Sequence, residues 1–278
     1  MLLAYDGSGF RGFAAQPGVP TVAGALSQAI ARAARLEEPP VIVCAGRTDA
    51  GVHASAQVAH VDLPLDYDGD LARAVNRQTA PALVVRAADP VTEEFDARRT
   101  ATARHYRYLV WSSPVPDPLL APMAWHVRDP LDVRAMAAAS DPLVGEHDFR
   151  AFCRKAPGAR AQDPIVRRVR AADWRPVSAD WISGAGSGSP PTPPPVLLRF
   201  DIVADSFCHQ MVRSVVAVLV DAGRRRATAA TVMELLASPS RAGAPQPAPP
   251  HGLCLVRVDY AAGVAQTGPG AAAGTVTG

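Results

Sequence analysis

Short β-like runs and helical stretches alternate through this chain in an order that is similar in its two halves, and that order restricts the fold more than any single residue does. An opening strand ends at Tyr5-Asp6. Val22, Leu26, Ile30 and Ala33 then recur at helical spacing, with Thr21 placed as N-cap and Pro39-Pro40 as the stop. A run at 41–44, a polar loop and a second run at 56–63 follow, then a helix over 70–78 and a strand over 83–87. The first hundred residues therefore read β-α-β-β-α-β. In the second half, 104–111 alternates, placing Tyr106, Tyr108 and Val110 on one face and His105, Arg107 and Leu109 on the other. Helices are expected over 131–139, 209–222 (closed by Gly223) and 228–237, and strands over 165–174, 196–204 and 253–259. The pattern predicts an α+β protein of two ferredoxin-like halves with antiparallel-rich sheets and a central cleft. Its domains are 1–100 and 101–260, joined near 97–103. No sequence-level repeat accompanies the repeated order. Residues 184–195 (GAGSGSPPTPPP) read as a linker inserted between two strands, and 261–278 as a tail without periodicity, expected to be disordered.

Composition narrows the class. Hydrophobic residues make up 48% and charged residues 19%, which suits a soluble globular chain. The formal net charge of +2 implies no polyanionic partner by itself, but its distribution is uneven. Residues 1–100 hold 9 basic and 12 acidic groups, and the remainder 19 and 14. Lys155 is the only lysine, so phosphate contacts fall to arginine, which binds bidentately and stacks on bases. The second half, with Arg167-Arg168-Arg170 and Arg224-Arg225-Arg226, is the expected electrostatic footprint for a polyanion. Cys44, Cys153, Cys208 and Cys254 lie far apart, which argues against a zinc ribbon or a secreted disulfide framework and for reduced core cysteines. No signal peptide is seen, and the longest apolar run, 215–220, is too short for a membrane span.

The chemistry concentrates in residues 46–54, GRTDAGVHA. Two glycines bracket Arg47 and Asp49 at the end of a strand, giving a tight loop in which a carboxylate and a guanidinium share one concavity. The ordinary reading of such a loop is a turn with solvated charges, because turns are where Asp and Gly usually occur. The chain as a whole weighs against that reading. GRTDAGVHA resembles the signature of the bacterial tRNA pseudouridine synthase A family, and further segments resemble that family in the same order. They are AYDGSGF (4–10), FDARRTATARHYRY (95–108), GEHDFRAF (145–152), FCHQMVRSVV (207–216) and HGLCLVRVDY (251–260). The resemblance runs from about residue 3 to 260. Departures are a start almost at the AYDG strand, Gly12-Phe13-Ala14-Ala15-Gln16 where relatives have Gly-Trp-Gln, and the Pro-rich insert.

The resemblance implies the pseudouridine synthase fold and a tRNA-modifying isomerase that works without cofactor or metal. Asp49 is the implied catalytic nucleophile, attacking the nucleoside at the ribose anomeric carbon or at the base. Tyr106 is the implied surface against which a flipped base stacks, in place of the packed role that strand aromatics usually have. Arg213 is implied to pair with and orient Asp49, and Arg47 to enter the space of the flipped base, where composition alone suggests an exposed helix arginine and a phosphate contact. His53 and His209 match family positions without an assigned role. Cys208 beside His209 has nothing to orient it as a thiol nucleophile. The implied substrate positions are uridines 38–40 of the tRNA anticodon stem-loop, and the implied assembly is a cytoplasmic homodimer with no membrane contact. Two rivals stand beside this reading. A non-catalytic RNA-binding relative of the same fold would lack an intact Asp/Tyr/Arg set, and a hydrolase using Asp49 would need a general base and an oxyanion site.

Overall fold

The structure is a computed structural model that describes residues 1–64, 67–154, 163–178, 194–238, 240 and 243–261. Among them the strands are β1 (Leu2–Tyr5), β2 (Val43–Cys44), β3 (His53–His60), β4 (Leu83–Ala87), β5 (Ala101–Ser112), β6 (Trp125–Val127), β7 (Gly145–Asp148), β8 (Val166–Val177), β9 (Val196–Ala204) and β10 (Leu253–Tyr260). The helices are α1 (Val22–Ala34), α2 (Leu71–Thr79), α3 (Val133–Ser140), α4 (Met211–Gly223) and α5 (Ala229–Ala237). Most of the insert and the tail from 262 onward lie outside the described residues.

The α+β expectation holds, and the strands form a single sheet in the order β4-β1-β3-β10-β5-β9-β8-β7, with β2 added to β3 and β6 to β5. Pairing is antiparallel except at β3/β10 and β5/β6. The last strand therefore lies between the two halves: Leu255 pairs with Ala54 on one side and with Tyr106 on the other. Strand spacing of about 4.8 Å puts β3 and β5 roughly 10 Å apart across β10.

Alternation divides the two sheet faces as the sequence suggests. Tyr106, Tyr108 and Val110 join Phe200, Ile202, Leu255 and the apolar residues of α1 and α4 in the main core. The opposite positions carry Arg107, Arg199 and Asp201, with a small second cluster of Trp111, Leu120, Ala124 and Leu197. Helix α1 starts at its Thr21 cap, whose hydroxyl accepts from the Gly24 N–H at 3.2 Å. It stops before the two prolines because Arg35 takes a left-handed conformation (φ 52°). Helix α4 starts two residues later than its periodicity suggests, since Gln210 is left-handed (φ 64°) and turns the chain into it. Gly223 is small for packing rather than capping: a Cβ there would meet the Met136 sulfur on α3 at 2.7 Å. Strands β6 and β7 have no counterpart in the sequence reading, being three and four residues long.

Gly7 lies directly against the loop that precedes β3, and a Cβ on it would fall inside the Val52 peptide unit. A backbone obstacle cannot rotate away, so Gly7→Ala should cost about 1–3 kcal/mol. Gly9→Ala, with nothing within 4 Å of its Cβ, serves as the control and should leave stability nearly unchanged. Urea unfolding of the pair checks the difference.

Candidate active site

Residues 45–52 leave β2, turn and enter β3, and buried groups grip this loop from below. The Ala45 N–H bonds to Val58 O at 2.8 Å and the Phe13 N–H to Thr48 O at 3.1 Å. Gln57, fully buried on β3, donates to Gly46 O at 2.7 Å and to the Tyr5 hydroxyl at 3.3 Å. Tyr5 in turn shares a 2.8 Å hydrogen bond with Thr48 Oγ1. Gly51 takes φ +76°, which a residue with a side chain rarely adopts, and the chain turns there into β3. Burial pushes the Tyr5 phenol pKa upward, and that of the Cys44 thiol to about 11.

This framework presents Asp49 with a side chain 17% exposed. Arg213, on α4 and 13% exposed, places Nη1 at 3.1 Å from Asp49 Oδ2. Its Nε donates to Ala248 O at 2.7 Å, while the Ala248 N–H donates back to Arg213 O at 3.0 Å. The guanidinium is thus fixed by the segment leading into β10 before it meets the carboxylate. His209 Nε2 lies 3.5 Å from Asp49 Oδ1, so each carboxylate oxygen faces a basic side chain. His209 is half-exposed and open to solvent on the same side.

Tyr106 is buried, with its ring edge-on to Phe207 at 5.1 Å between centroids. Its hydroxyl stands 3.9 Å from where a Cβ on Gly46 would be, which puts it in van der Waals reach of the root of the loop. Burial, then the neighbouring Tyr5 and Asp49, raise its pKa, which leaves a neutral phenol at the edge of the site. Tyr108, two residues on, is fully buried and donates to Pro249 O at 2.7 Å, the packed role expected of it. Arg47 is exposed beside Asp49 and makes no hydrogen bond or ion pair among the described residues. His53 turns away from the carboxylate. Its Nδ1 lies 3.1 Å from both the Gly7 N–H and Asp6 Oδ1, which makes it a structural clasp.

One expectation changes. Cys153 and Cys208 are joined as a disulfide with a Cα–Cα distance of 5.8 Å, where reduced cysteines were expected. Their separation of 55 residues hides the approach from any spacing rule, and the Arg154 N–H bonded to His209 O belongs to the same junction. The arginine clusters are also more engaged than free. Arg168 pairs with Glu146 and Arg170 with Asp205. Arg224 holds Asp129 at 2.8 Å and Asp221 at 3.3 Å, and lies over the Trp125 ring. Among the described residues no group of His, Cys, Asp and Glu is arranged to hold a metal ion, and no helix is long and apolar enough to cross a membrane.

A family model described as tRNA pseudouridine synthase matches residues 139–261. The tRNA pseudouridine synthase A of Methylobacterium radiotolerans is 40% identical over 266 residues, covering 94% of this chain and 96% of its own. That of Frankia casuarinae is 41% identical over 262 residues (93% and 87%), and that of Moorella thermoacetica 36% over 264 (93% and 97%). This chain belongs to the tRNA pseudouridine synthase A family. The pseudouridine synthase fold expected from the sequence follows with that membership. A chain of the crystallised Cbf5-Nop10-Gar1 complex overlaps 78% of it at 14% identity and a TM-score of 0.32, a likeness too slight to bear on the site. In this family member, sequence reasoning reached Asp49, Tyr106, Arg47 and Arg213 but passed over Gln57 and Tyr5. Tyr5 ends the four-residue apolar strand β1 and Gln57 lies midway along the eight-residue β3, and only their contact with the loop marks them.

The buried tyrosines set a pH limit on the fold. Tyr5, Tyr106, Tyr108 and Tyr260 all have pKa values raised chiefly by burial. The unfolded phenols ionise near about pH 10 while the folded ones stay protonated, so the unfolded state loses protons first and stability falls as pH rises above that point. The loss should approach about 1.4 kcal/mol per pH unit for each such tyrosine. Urea unfolding at pH 8 and pH 11 should show it, and each Tyr→Phe change should reduce it.

Proposed function

We propose that this protein isomerises uridine to pseudouridine in tRNA, with Asp49 as nucleophile acting on a base flipped from its stack. The observation that carries this is the Asp49 carboxylate held between Arg213 and His209, on a loop whose root lies beside Tyr106. In the reaction the N1–C1′ bond breaks, the ring re-attaches to C1′ through C5, C5 loses its proton and N1 gains one. Atoms and electrons balance without an oxidant or reductant. A carboxylate that adds to the nucleoside and is later expelled splits this exchange into two easier steps. Tyr106 offers a flat apolar ring for the extruded base, and Arg47 is free to meet it or its phosphate.

The proposed substrate sites are uridines 38–40 of the anticodon stem-loop, and the proposed setting is a cytoplasmic homodimer with no cofactor. The RNA-binding rival would have no need of a paired Asp49–Arg213, and both residues are present and in contact.

Asp49→Asn keeps the shape of the side chain and removes the attacking charge. Pseudouridine formation in purified tRNA, read by mass spectrometry, should vanish, while tRNA affinity stays within about threefold. Turnover above trace level in that variant would sink the assignment. Binding should weaken with salt, and Arg47→Ala should flatten the slope of log K against log salt by about one unit. Arg224→Ala should instead lower the melting temperature and leave that slope unchanged, since its guanidinium already serves Asp129, Asp221 and Trp125.

A further inference from the structure

Arg104 lies on β5, two residues before Tyr106 and on the same side of the strand, and is only 7% exposed. Among the described residues it has no ion pair with a carboxylate. Its guanidinium is bound entirely by backbone carbonyls. Nε and Nη2 donate to Ala45 O at 3.2 and 2.9 Å, and Nη2 also donates to Arg98 O at 2.6 Å. Nη1 donates to Ala101 O at 3.0 Å and to Asp205 O at 2.6 Å. Five N–H groups make five hydrogen bonds, which is the full capacity of the side chain. Burial lowers its pKa, as expected for a cation taken out of water.

The four carbonyls belong to three separate segments. Ala45 is the root of the loop that carries Asp49. Arg98 and Ala101 belong to the stretch that joins the two halves, itself anchored by Tyr260 donating to Ala97 O at 2.7 Å and by the Ala97 N–H on His60 Nδ1 at 3.0 Å. Asp205 follows β9 and opens the segment that leads through Phe207 and His209 into α4 and Arg213. A buried cation is a costly way to stabilise a fold, because apolar side chains of similar volume often do as well or better. What a planar fork does, and an apolar side chain cannot, is fix several carbonyls from separate segments in one plane.

We propose that Arg104 is a positioning residue for the isomerisation, setting the Asp49 loop and the His209–Arg213 segment against each other from beneath. This inference rests on the reading of Asp49 as the nucleophile. Arg104 touches no reacting atom; it acts through the backbone of Ala45 and Asp205.

The test uses the full chain with Arg104→Lys, which keeps the charge but not the fork, and Arg104→Gln, which keeps a planar amide without the charge. Each variant is assayed for melting temperature, for tRNA dissociation constant, and for single-turnover pseudouridine formation at saturating enzyme, with Asp49→Asn alongside. Both variants should bind tRNA within about threefold of the parent and turn over at least about tenfold more slowly per folded molecule, since a displacement near 1 Å can cost about a hundredfold. A purely structural role would lower the melting temperature while leaving the rate per folded molecule unchanged, and that result would overturn the proposal. Failure of both variants to fold would overturn it equally, by making Arg104 a requirement of the fold rather than of the site. Turnover by Asp49→Asn would refute the underlying reading instead. An inactive Asp49→Asn beside a fully active Arg104→Lys would refute the positioning role alone.

Discussion

The pairing of β10 between β3 and β5 is the constraint on which everything else depends. It joins the end of the chain to both halves at once, with Leu255 opposite Ala54 on one flank and Tyr106 on the other. Without that strand the loop before β3 and the strand bearing Tyr106 would belong to two sheets with separate edges. With it, the segment entering β10 passes Ala248 beneath Arg213, and the guanidinium is fixed before it reaches Asp49. Sheet closure and site assembly are therefore one event, and the carboxylate and its partner, 164 residues apart, depend on it equally.

Arginine performs three different tasks in this chain, and burial separates them. Arg104 is buried and spans backbone carbonyls, Arg213 is nearly buried and meets a carboxylate, and Arg47 is exposed with no hydrogen bond or ion pair among the described residues. A lysine could serve as a point charge at the third position but not as a fork at the first. That division fits a chain in which all but one of the 28 cationic side chains are arginine. The clusters at 167–170 and 224–226, read from the sequence as a polyanion footprint, also hold carboxylates of the fold: Glu146, Asp205, Asp129 and Asp221.

Local pattern was enough to read most elements, because β9 and α2 carry their periodicity within their own residues. Strand β3 is the instructive exception. Its apolar run suggests a start at 56, but it begins at His53 because β10, two hundred residues away, supplies a partner there. Helix α4 is similar: its apolar pattern runs back to 209, and a left-handed Gln210 cuts it short. At the site, Asp49, Arg47, Tyr106 and Arg213 were legible through the order of motifs that carry them. Gln57, Tyr5 and Arg104 were not, since what distinguishes them is a polar partner on a distant segment (a backbone carbonyl for Gln57 and Arg104, the Thr48 hydroxyl for Tyr5), which no spacing within a strand encodes. The disulfide between Cys153 and Cys208 escaped notice for the same reason.

The central claim is that a tRNA uridine leaves its stack and meets Asp49 between Arg213 and Tyr106. The most direct measurement is an experimental structure of the Asp49→Asn protein with tRNA bound. The account predicts one anticodon-arm uridine turned out of the helix, its ring against Tyr106 and its glycosidic bond facing residue 49. A tRNA bound with every uridine stacked, or lying across a surface remote from residue 49, would contradict it.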